Sequence, residues 1–130
     1  MYVSFYSEHN LVCMHAYKIV NTLGGGISVF LAALEKHGRL PAGISLKPEG
    51  LAEMTQELCF AIHKQLASSR SQIVAIQLED MMLINKPVNI PGTSHEYPNW
   101  RRKLTTSSQD LFAQTDIQQF CQEINRLRQP

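Results

Sequence analysis

The chain has 130 residues, 44% of them hydrophobic, with twelve Lys and Arg set against eleven Asp and Glu. That length suits one domain with a buried core, and a formal charge of +1 at neutral pH creates no global field toward nucleic acid or an acidic membrane. Cys13, Cys59 and Cys121 are an odd number without a CxxC pair, which disfavours a disulfide framework and favours reduced thiols in a cytoplasmic protein.

Residues 1–26 read as a leader or linker, mixing Tyr2, Phe5, Tyr6 and Tyr17 with His9, Cys13 and His15 and ending in Gly24, Gly25 and Gly26, which no helix holds comfortably. No basic segment precedes an apolar core there, so no secretory signal is expected. The uncharged stretch 19–34 falls short of the roughly 20 apolar residues of a spanning helix, and no membrane segment is expected. Cys13 and His15 supply two ligands where a structural metal needs about four, so no metal is expected.

Ile27, Phe30, Leu31 and Leu34 share one face of a helix that Gly38 can end. Pro41, Gly43 and Pro48 hold a connection, after which Leu51, Met54, Leu58, Ile62 and Leu66 form the stripe of a second helix. A Ser-rich turn at 68–71 leads into the one convincing strand, about 71–77, whose run Ile73, Val74, Ala75 and Ile76 has the pattern of a parallel strand covered on both faces. Beyond a polar loop, Leu111 and Phe112 begin a weak helical segment. Ile117, Phe120, Cys121, Ile124 and Leu127 mark a final amphipathic helix capped by Thr115 or Asp116. Several helices and one parallel-type strand, which cannot form a sheet alone, predict an α/β chain that is part of something larger.

Glu79 and Asp80 stand at the strand's end, where α/β proteins place catalysts. Adjacent residues point apart and cannot flank one bond, so one is expected to cap the LEDMM turn and the other to make a buried hydrogen bond or ion pair. Cys59 lies on an apolar helix side with no His evidently placed to activate it. His37, His63 and His95 are scattered, and His95 is read as an exposed loop imidazole. The three glycines form no dinucleotide or phosphate fingerprint. The stretch from Asn89 to Arg102 carries recognition chemistry instead: a turn at Pro91 and Gly92, the Asn89 amide, and Trp100 beside Arg101 and Arg102. Sugars suit such a surface. The competing reading, preferred for Trp100, is an indole buried under the loop with an arginine bonded to backbone carbonyls; for Asn89 both readings stay open.

The run VNIPGTSHEYPNWRRKL from Val88 to Leu104, with IQLEDMM from Ile76 to Met82, closely resembles the C-terminal end of the 4-alpha-glucanotransferase family of bacterial maltodextrin metabolism. The likeness extends back through AALEKHGRLP, Ala32 to Pro41, and more weakly into the final helix, while residues 1–26 lie outside it. The resemblance implies that residues 27–130 hold the last helices, eighth strand, rim loop and C-terminal helix of a (β/α)8 TIM barrel. It implies transfer of alpha-1,4-glucan segments by a retaining double displacement without a cofactor. The family's nucleophile and acid/base lie upstream of every matched residue, so the chain by itself is expected to be inactive and to associate with the missing portion or with itself. Asn89, Pro91 and Gly92 are carried over as substrate-binding residues. Gln77, Glu79, Asp80, Trp100 and Arg101 are carried over as loop supports. The alternative function is a small helical assembly or binding module acting through self-association.

Overall fold

The structure is a computed structural model and describes residues 12–13, 25–45, 54–84 and 86–129. Within them the order is β1 (Val12–Cys13), α1 (Gly25–Lys36), α2 (Gln56–Ala67), β2 (Val74–Ala75), α3 (Leu78–Met81), α4 (Ser108–Ala113) and α5 (Thr115–Arg128). Helix α1 opens on Gly25 and Gly26, so two of the three glycines expected to resist a helix begin one. First-turn N–H groups have no intrahelical partner in any case, and glycine there disturbs no ladder bond. Gly38 does close the helix. At φ +64 it donates to Glu35 O at 2.9 Å while Arg39 donates to Leu34 O at 2.8 Å, the paired bonds of a Schellman end.

Helix α2 starts at Gln56, because Thr55 turns extended and its hydroxyl accepts from Leu58 N at 3.2 Å. Leu51, expected on this helix, lies outside the described residues, as does His15. The strand shortens to Val74–Ala75 and pairs in parallel with β1, Val12 opposite Val74 and Cys13 opposite Ala75. Part of the supposed leader is thus a strand. The expected cover on both faces is not found: Ile73 is 60% exposed and Val74, Ala75 and Ile76 are half-buried, since a sheet of two short strands shields little.

Two apolar clusters carry the packing. Leu31 and Leu34 of α1 meet Leu58, Cys59, Ala61 and Ile62 of α2, with Met54 closing the group. Met81, Leu111, Ile117 and Phe120 form the second, against which Phe60 of α2 stacks on Phe120 at a centroid distance of 4.2 Å. Ser107 caps α4 by accepting from Asp110 N and donating to Asp110 Oδ2. Thr115 and Asp116, expected to cap α5, are instead its first two residues. Gln114 holds the cap position without a side-chain bond, and Asp116 sits in the first turn where a negative charge is favoured. At the other end of α5 the Arg128 guanidinium donates to Ala67 O, Ser69 O, Ser71 O and Gln72 O, gripping the whole turn from α2 into β2. Among the described residues no helix is long and apolar enough to cross a membrane.

Candidate functional site

The site is built on the carboxyl end of β2. Gln77 holds the cap position of α3 in extended conformation with no side-chain cap bond, so neither Glu79 nor Asp80 caps the turn; both lie within it. Asp80 is buried, and its Oδ2 lies 3.2 Å from Nε2 of His63, which is fully buried on α2. Two other α2 residues reach the same turn. Cys59 Sγ donates to Asp80 O at 3.4 Å, and Gln56 Nε2 to Met81 O at 3.5 Å. Positions 56, 59 and 63 share one helical face, so a single stripe of α2 fixes where the strand ends. His63 Nδ1 has no hydrogen-bond partner among the described residues. Burial, and secondarily the charge of Asp80, push the Cys59 thiol up to about 12, which leaves it without the thiolate a nucleophile requires. The half-buried Glu79 accepts from Ile84 N at 2.8 Å through its carbonyl, and Leu83 turns the chain at φ 51.

The loop that follows is held by the side chains of four residues, Asn99, Thr93, Arg102 and Tyr97. Asn99 accepts from Ile90 N at 2.8 Å through Oδ1, and its Nδ2 donates to Thr93 O and Thr93 Oγ1, both at 2.9 Å. Those bonds lock the turn Ile90–Pro91–Gly92–Thr93, in which Gly92 takes φ 78 and Thr93 Oγ1 donates to Ile90 O at 2.6 Å. Arg102 donates to Lys86 O at 2.6 Å, Pro87 O at 3.0 Å and Tyr97 Oη at 2.7 Å, while the Tyr97 hydroxyl donates to Pro87 O. Ser94 N–H, reaching Glu96 Oε2 at 2.9 Å, together with the residue's own backbone N–H, holds that exposed carboxyl below its ordinary value.

Asn89 is half-buried, and Pro91, Gly92 and His95 are exposed. Trp100 is not under the loop. Its N–H donates to Val88 O at 3.0 Å, so its backbone ties the loop, but its side chain is 75% exposed. The arginine bonded to backbone carbonyls is Arg102 rather than Arg101, whose side chain faces outward. The clamping role of Asn99 has no local signal in the sequence, because its partners Thr93 and Ile90 lie six and nine residues away across an irregular loop. No group of three metal-ligating side chains occurs among the described residues. Amides, hydroxyls and an open aromatic face on a fixed backbone can recognise a polar, ring-shaped ligand; they cannot by themselves cleave one.

Comparison with known proteins identifies a family. The sequence profile of one family, described as 4-alpha-glucanotransferase, matches residues 27–109. The chain is 37% identical over 67 residues to a 4-alpha-glucanotransferase of Haemophilus influenzae, covering 52% of this chain and 10% of that relative. It is 34% identical over 62 residues to 4-alpha-glucanotransferases of Mycobacterium bovis and Mycobacterium tuberculosis, covering 48% of this chain and 9% of each. The chain therefore spans about a tenth of the length of the curated relatives it matches. With a match running from α1 through β2 and the whole clamped loop to the start of α4, the chain belongs to the 4-alpha-glucanotransferase family.

Proposed function

We propose that this chain contributes the closing part of a (β/α)8 barrel to a cytoplasmic 4-alpha-glucanotransferase, which moves alpha-1,4-glucan segments between maltodextrins by a retaining double displacement. The observation that carries the proposal is the family match over residues 27–109, which takes in the strand end and every residue of the clamped loop. In this reading Asn89, Pro91 and Gly92 lie on the rim of the sugar cleft, while the nucleophile and acid/base come from upstream stretches of the family's sequence. Glu79 and Asp80 do not substitute for them. Asp80 is buried against His63, and neighbouring residues on one turn do not face each other across a ligand. The short parallel pair β1–β2, with Ile73 exposed beside it, fits a sheet that continues into further strands.

The test is a chimaera in which residues 27–109 replace the corresponding stretch of the Haemophilus influenzae relative, assayed for disproportionation of maltotriose beside the isolated chain. The expected result is retained transfer in the chimaera and none in the chain alone. A folded but inactive chimaera, or glucose release by the isolated chain, would overturn the proposal.

A further inference from the structure

We propose that Trp100 is a stacking platform for a glucose ring of an alpha-1,4-glucan, extending the binding loop beyond Asn89; this rests on the glucan reading above. Trp100 has φ +60, a region that a bulky side chain rarely adopts, and its indole is 75% exposed. Neither packing nor backbone preference favours an aromatic there, and strain held at an exposed aromatic points to a use other than folding. The surrounding backbone is nonetheless fixed. Trp100 N–H donates to Val88 O at 3.0 Å, and the preceding Asn99 makes three side-chain hydrogen bonds to Ile90 and Thr93. The first of these bonds sets Trp100 against Val88, one residue from Asn89. A pyranose presents a face of C–H bonds edged by hydroxyls, so a rigid indole suits the face and a neighbouring amide suits the edge. A backbone fixed before the ligand arrives leaves only the indole's own rotation to be ordered on binding.

Trp100 is the sequence's only tryptophan, so its emission reports this site alone. Titrating the purified chain with maltohexaose is expected to give a saturable change in that emission. By calorimetry, Trp100→Ala is expected to weaken binding about tenfold or more while Trp100→Phe retains most of it. Trp100→Gly is expected to raise the thermal midpoint and still lose glucan binding, as a residue strained for function should. Undiminished calorimetric binding in Trp100→Ala, with flat emission in the parent chain, overturns the platform and leaves the family reading intact. Absence of any maltohexaose binding overturns it as well, and the chimaera assay then decides the transfer reading separately.

Discussion

Asp80 and His63 face each other 3.2 Å apart with neither side chain reached by water, so removing either takes a buried polar partner from the other. Such losses cost about 3–5 kcal/mol. His63→Ala and Asp80→Ala are each expected to destabilise by about that much in urea denaturation, and the double variant by less than the sum, because the second change deletes a partner already lost. Cys59, next to them, gives a pH signature. Its thiol is neutral below its unfolded value of 9.0 and in the fold keeps its proton to about 12. Above 9.0 the unfolded chain releases a proton that the folded one retains, so this contribution is complete below pH 9.0 and is lost as pH rises toward 12. Urea midpoints are expected to fall across that window, and to fall less steeply in Cys59→Ala. The helical stripe in the sequence places Cys59 inside, whereas the pairing of His63 with Asp80 depends on where β2 stops relative to α2, a tertiary fact that no local pattern carries.

Among the elements, the loop from Lys86 to Arg102 is stiff without being regular, and its stiffness is concentrated in few side chains. Asn99→Ala removes three hydrogen bonds at once, with an expected loss of about 1–3 kcal/mol and, more tellingly, faster hydrogen exchange at Ile90 N–H with α2 unaffected. Arg102→Lys keeps the charge but not the fork that spans Lys86, Pro87 and Tyr97, and is expected to loosen the same loop at its base. The helices were legible from apolar spacing and the end of α1 from Gly38, because those signals are local. Their starts were less so. The extended turn at Thr55 and the bare cap at Gln114 override residues that composition favours for continuing or capping a helix. The loop's position and its turn at Pro91–Gly92 were readable, but Trp100 was read as buried. An aromatic in a Pro- and Gly-rich stretch usually packs, whereas Trp100 combines a left-handed backbone with an exposed side chain, neither of which apolar patterning records.

For the whole molecule, the parallel pairing of β1 with β2 links residues about sixty positions apart, and the β2 residues of this short sheet are only half-buried. Such edges pair readily with other strands, so the purified chain is expected to elute in size exclusion above its 14.7 kDa mass; a clean monomer would count against an open edge. Ile73→Lys, which puts a charge at that edge, is expected to shift the population toward monomer. A covered parallel strand was expected because an unbroken apolar run records the sheet it evolved in, whereas the number of strands present is not written in the run itself. The Arg128 fork bears on how the protein is made. The carbonyls at 67, 69, 71 and 72 receive their donor from a residue 56 to 61 positions later. At roughly 5–20 residues per second, a ribosome exposes the bend into β2 for about 3 to 12 s before its clasp has been synthesised. During that interval the nascent strand is open to a chaperone or to a neighbouring chain, and the last turn of α5 acts as the latch that ends it.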